Sequence, residues 1–186
     1  MLYPSLLGGA WASLDAPVRR LHLRASQGTA GAGVFAVERG TSAGARLCGW
    51  WMRLPAGGER VPVELAVRAT PRGDRWIRSF AGCVLETLQY ARGEGVLAER
   101  WGPIECRFRL EAQDGALAYR QIGAWLRVGP LALRLPHALA PSVTGVARGA
   151  GAERVRVDVA IGVPLFGPLI AYRGELAVAG SEEAAA

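Results

Sequence analysis

The stretch IECRFRLEAQDGALAYRQIGAW, residues 104–125, decides the fold. In its first arm Ile104, Cys106, Phe108 and Leu110 alternate with Glu105, Arg107, Arg109 and Glu111, the period of two that marks a strand with one buried face. Asp114-Gly115 then supplies the dipeptide that a two-residue type I′ hairpin loop prefers. With that loop, Leu110 falls opposite Tyr119, Phe108 opposite Gln121, Cys106 opposite Gly123 and Ile104 opposite Trp125. The inward face of the hairpin therefore mixes aliphatic and aromatic groups with a phenol, an amide and a glycine. A solid core avoids unpartnered polar groups of this kind, whereas a hollow, partly polar interior accommodates them.

The same alternation recurs on both sides of the hairpin. In ERVPVELAVRA (59–69) Val61, Val63, Leu65 and Val67 point one way, and in RVRVDVAI (154–161) so do Val155, Val157, Val159 and Ile161. Turn-forming clusters (TPRGD, RGEG, QDGA) separate these runs and leave no room for a helix of ordinary length, so the sheet is predicted antiparallel. About eight consecutive strands must curl or close to protect their edges. Before them come three helical segments. Leu2, Leu6, Leu7, Trp11 and Leu14 trace one stripe. Asp15 is a candidate cap for a second helix carrying Val18 and Leu21. Ser42 is a candidate cap for a third that passes Leu47, Trp51 and Leu54 and stops at Pro55. GTAGAG (28–33) reads as a flexible link, with a strand from Val34 to Glu38 after it. The fold class is α+β: N-terminal helices packed on a strongly curved, mostly antiparallel sheet, a barrel or half-barrel. Residues 1–179 form one domain and 180–186 a loose tail.

RWIRSFAG (75–82) gives the interior its character. Trp76, Arg78 and Phe80 share a face, and a reversal at Ala81-Gly82 adds Cys83, Leu85 and Thr87 to it. A guanidinium on that apolar face requires a carboxylate, a water or a ligand anion; pairing with a glutamate, or reaching along the sheet to its rim, outweighs ligand binding as the reading.

Composition excludes several classes. The chain has 186 residues, 51% of them hydrophobic, a net charge of +6 and a mean hydropathy of +0.17, which describes a globular domain and not a disordered one. All 22 basic residues are arginine, so the charge partly reflects composition. In ECRFRLE the arginines and Phe108 lie on opposite faces, the reverse of a stacking platform for nucleic acid. Cys48, Cys83 and Cys106 form no Cys-x-x-Cys pair and have only His22 and His137 beside them, which argues against a zinc site, against a disulfide scaffold and for a reducing, cytoplasmic setting. No run of 18 apolar residues occurs, and the N-terminus lacks the pattern of a signal peptide. GTAGAG follows a helix and opens a strand, the wrong order for a phosphate loop. Neither histidine has a nucleophile nearby in sequence. No catalytic signature, metal or cofactor is implied. IGVPLFGPLIAY (161–172) is apolar and broken by Pro164, Gly167 and Pro168. It reads as a buried bend between strands, or as an apolar lip at a barrel mouth able to touch a membrane.

Taken in order, LYPSLLGGAW…VRRLH, VERG, LPAGGERVPVEL, RWIRSFAG, GVLAERWGP, GAWLRVGPLALRLPHALAP and PLFGPLIAYRGEL resemble a bacterial family, domain of unknown function 4166 (DUF4166), from Leu2 to about Leu176. Members look like stand-alone proteins or like C-terminal extensions of Rossmann-type, saccharopine-dehydrogenase-like proteins, and this chain resembles the former. The resemblance carries no catalytic residue. Glu175 stands where the pattern leads one to expect an aromatic, and VLETLQY departs from a phenylalanine-serine pattern. The functional expectation is a non-enzymatic binding module for a hydrophobic or acidic, amphipathic small molecule. It would be lined by Trp76, Arg78, Phe80, Phe108, Tyr119, Gln121, Trp125 and Tyr172, with Arg78 and Tyr119 or Gln121 at the polar end. An accessory role beside a dehydrogenase-type partner, or protein binding through an open sheet edge, are the alternatives.

Overall fold

The Asp114-Gly115 hairpin forms as read, with φ of 50° and 78° at its two loop residues. The computed structural model describes residues 1–23 and 29–178. β6 (Ile104–Gln113) and β7 (Ala116–Val128) flank the turn. Leu110 faces Tyr119 and Phe108 faces Gln121, as expected. Beyond that point the register differs. Ile122 is an extra residue, a bulge, so Cys106 meets Ala124 and Ile104 meets Leu126. One extra residue turns every later side chain over, and Trp125, expected inside, lies on the outer face opposite Glu105.

Upstream of the hairpin runs a meander: β1 (Thr29–Arg39), β2 (Gly58–Thr70), β3 (Gly73–Phe80), β4 (Cys83–Ala91) and β5 (Val96–Trp101). Downstream come a short β8 (Leu131–Arg134), then β9 (Ser142–Gly149), β10 (Arg154–Val163) and β11 (Gly167–Val178). β1 pairs with β11, β6 with β7 and β7 with β9, all antiparallel, so ten strands close into a barrel and β8 hangs on β7 as an eleventh. The expected count of about eight falls short of the eleven strands formed, and the glycine stretch is not a link. From Thr29 it is already strand, and Gly33 is there because a Cβ would come within 1.9 Å of the Glu175 carbonyl oxygen on the neighbouring strand.

Along the edge away from β6, β7 serves two partners. Its first residues, Leu117 to Tyr119, complete the barrel against β9, and Trp125 to Val128 pair with β8. Between these halves the ladder is interrupted, and the Gln121 side chain spans the gap: its Nε2 donates to Pro141 O at 2.7 Å and its Oε1 accepts from Val143 N at 2.6 Å. The amide expected to face a ligand is thus a stitch in the wall.

Antiparallel strands place successive loops at alternate ends of the barrel. α1 (Leu2–Leu7), a 3₁₀ segment (Gly8–Ser13) and α2 (Ala16–Leu23) plug one end. Gly8-Gly9 divides the expected single stripe into these first two pieces. Asp15 fixes the plug to the sheet: its N–H donates to Gly115 O at 2.8 Å, and its carboxylate accepts from Gly149 N at 3.0 Å. α3 (Ala43–Trp51), capped by Ser42 Oγ accepting from Ala45 N at 3.0 Å, crosses the other end. There it is joined to the β10–β11 turn by Ser42 Oγ donating to Phe166 O at 2.5 Å. That turn is in turn joined to the β8–β9 loop by Leu165 N donating to Ala138 O at 3.0 Å. The expected loose tail, 180–186, lies outside the described residues. No helix among the described residues is long and apolar enough to cross a membrane.

Candidate functional site

The barrel encloses a cavity of about 290 Å³. Six of the eight residues expected around it line it: Trp76, Arg78, Phe80, Phe108, Tyr119 and Tyr172. Gln121 is taken up by the β7–β9 gap. Trp125 is outside, its ring over Gly123 with the Arg107 guanidinium stacked 3.7 Å from its centroid.

The cavity is graded along the barrel axis. Toward α3 its wall is Phe80, Leu85, Trp101, Ile104, Met52 and Leu169, apolar side chains whose only heteroatoms are the Trp101 indole nitrogen and the Met52 thioether sulfur. Toward the plug, polar groups converge. His22 Nδ1 donates to Val18 O at 2.8 Å, which fixes the tautomer and leaves Nε2 to accept from the Tyr119 hydroxyl at 3.2 Å. The Tyr119 and Tyr3 hydroxyls lie 3.0 Å apart, and Tyr3 also donates to Gln89 Oε1. Tyr3 is held in the plug against His22, with ring centroids 4.4 Å apart. One strand register further toward α3, Arg78 donates to Thr87 Oγ1 at 3.0 Å and pairs with Glu99 Oε1 at 3.4 Å, while Thr87 donates to the same carboxylate oxygen at 2.7 Å. The guanidinium also lies 5.3 Å from the Trp76 ring centroid.

Electrostatics follow from this packing. Burial lowers His22 to about 4, with Arg78 adding to the effect and the Val18 hydrogen bond opposing it, so the imidazole is neutral near pH 7. Burial raises Tyr3, Tyr119 and Tyr172 above the usual phenol range. Burial works against the Arg78 charge, but Tyr172 and Glu99 outweigh it and its pKa rises. The cluster therefore holds one cation and one anion and is neutral as a whole. Burial likewise pushes the Cys106 thiol up to about 12, which keeps it from acting as a thiolate. Near neutral pH the imidazole and the phenols therefore meet one another as neutral hydrogen-bonding groups.

One donor is left over. The Trp76 side chain is 4% exposed, it lines the cavity, and its indole N–H has no hydrogen-bond partner among the described residues. Such a group costs about 1–3 kcal/mol unless something accepts from it.

Sequence reasoning missed Tyr3, Gln89 and Glu99. Glu99 was within reach: Cys106 points inward, Glu99 pairs with Cys106, and Leu97 and Trp101 share its face. The general rule that strand carboxylates face water concealed it. Gln89 was within reach too, two residues beyond Thr87 on the same inward face; Tyr3 depends on which end the plug enters, and no periodicity encodes that.

A family described as "Domain of unknown function (DUF4166)" matches residues 14–176, most of the chain. No curated protein and no solved structure matches it. The chain belongs to the DUF4166 family.

Proposed function

We propose that this member of a family without an assigned activity is a non-catalytic carrier for one small amphipathic molecule, held polar end inward inside the barrel. The orphaned Trp76 N–H carries this reading: it is a buried donor at the polar level of a cavity that is otherwise apolar toward its mouth. The volume supports a small occupant, since about 290 Å³ stands at the lower edge of the roughly 300–1,000 Å³ of small-molecule sites. Glu99 already neutralises Arg78, so an acidic head group would have to displace it. A neutral acceptor, such as a carbonyl, ether or hydroxyl oxygen, accepts from the Trp76 N–H at no such cost.

The test is native mass spectrometry of freshly purified protein before and after denaturing organic extraction. A reproducible extra mass that extraction removes, and that is lost or reduced in Trp76→Phe, supports the carrier. Trp76→Phe keeps an aromatic ring in the wall and deletes the donor. Apo protein at every concentration tried, with added hydrophobic carbonyl compounds failing to raise its melting temperature, argues the carrier away.

A further inference from the structure

α3 reverses the usual pattern of a packed helix. It buries two small residues, Ala45 and Gly49, and exposes Leu47, Trp50 and Trp51 at 66%, 77% and 66%. The reason is close packing: a Cβ at Gly49 would come within 1.9 Å of the Arg39 guanidinium, and one at Gly44 within 2.5 Å of the Phe166 ring. With the small residues inward, the large ones have nowhere to go but out.

This face continues into its surroundings. Among the described residues twelve large apolar side chains are exposed, and eight of them lie on α3 or in and beside the loops at its end of the barrel; Met1, Val34, Ile122 and Leu133 are the others. Leu139 and Leu165 belong to the two loops already joined to α3. Trp51 and Leu139 both line the cavity and are exposed, the only lining residues among those described that are, so the cavity meets solvent here.

Charge is distributed with the same asymmetry. The segment 40–58 contains Arg46 and Arg53, both exposed, and no carboxylate. No Asp or Glu occurs from 115 to 152 or from 159 to 172 either, which covers the β7–β8, β8–β9 and β10–β11 loops. Asp15, Glu94, Asp114 and Glu153 all sit at the plugged end. The exposed acids nearest to it are Glu38, paired with Arg173 at 2.6 Å, and Glu59, where β1 ends and β2 begins. An apolar rim with two tryptophans, with two exposed arginines and no carboxylate on α3 or in the segment around it, has the chemistry of a surface that enters an anionic lipid interface.

We infer that the α3 end of the barrel docks on anionic bilayers, with Leu47, Trp50 and Leu165 entering the interface and Arg46 and Arg53 meeting lipid phosphates. As a route by which a carrier exchanges cargo this rests on the carrier reading above, although docking is measured without any cargo. A protein surface of the same apolar character is the competing occupant, and the test separates it.

The experiment is co-sedimentation of the full chain with vesicles of phosphatidylcholine alone and of phosphatidylcholine with one part in three phosphatidylglycerol. Binding to the anionic vesicles, weak binding to the neutral ones and release by high salt are expected. Arg46→Gln with Arg53→Gln lowers affinity about fivefold per arginine. Leu47→Ser with Trp50→Ser lowers it roughly tenfold or more while leaving the cavity wall and the melting temperature unchanged. Wild-type protein that stays in the supernatant of both vesicles overturns the inference. So does a double serine variant that binds like wild type, or a concentration-dependent dimer that this variant dissolves. Vesicle binding by protein that stays apo and gains no melting temperature from added carbonyl compounds fails the carrier and keeps the docking; a captured mass without vesicle binding does the reverse.

Discussion

His22 should make the fold acid-sensitive in a window where surface groups do little. It is 4% exposed, with one nitrogen donating to Val18 O and the other accepting from Tyr119. Tyr3 and Tyr119 stay neutral through the range concerned, while Arg78 adds positive charge beside it. The folded protein thus holds His22 near 4 against an ordinary 6.5. The unfolded chain takes up the proton first, so the full contribution is present above pH 6.5, declines as the pH falls toward 4, and is constant below that. Between pH 7 and pH 5 the two values imply a loss of about 2 kcal/mol from this residue alone. For a chain of this size that corresponds to roughly 4–8 °C in melting temperature. The assay is urea unfolding of wild type and His22→Gln at both pH values, read as the difference between the two pH-dependent losses. That comparison removes the carboxylates, which titrate alike in both proteins. Equal losses to within about 0.5 kcal/mol would show that His22 is not held neutral and would refute the network as described.

Two further outcomes follow from the wall and the interior. Arg78→Met leaves Glu99 without its cation and should cost about 3 kcal/mol, the low end for a buried pair because both side chains keep some solvent contact, whereas Arg78→Met with Glu99→Leu should recover most of it. Urea unfolding measures both, and a single variant as stable as the double would show that the pair is not desolvated. Gln121→Leu removes both bonds across the β7–β9 gap and should cost about 2 kcal/mol, with exchange of the Val143 amide hydrogen speeded roughly tenfold. Unchanged exchange would mean that the gap is closed by other means.

Much of this architecture can be read from the chain because strands with one face toward a core carry their orientation in a two-residue period. Phe108, Leu110 and Tyr119 fall as expected on that ground alone, as do Trp76, Arg78 and Phe80 with Thr87 across the Ala81-Gly82 turn. Trp125 does not, because a bulge is one residue long and leaves alternation intact on either side of it. Barrel closure is also invisible locally: it depends on β1 meeting β11 and β7 meeting β9, pairings between distant segments. Leu47 and Trp51 look like a core stripe in α3, yet Ala45 and Gly49 take the buried face, with Gly49 packed directly on the Arg39 guanidinium. Helical period tells which residues share a side, and the neighbours decide which side is inside.

The pairing of β1 with β11 sets a timetable for synthesis. Gly31 has its ladder partner at Val178, so one flank of the barrel stays unzipped until β11, the last of its strands, has left the ribosome. Until then the free edge of β1 is an exposed template for other strands, and the long span that must close makes folding slow. A message truncated before β11 would yield a product that cannot hide this edge, and aggregation or degradation would be its expected fate.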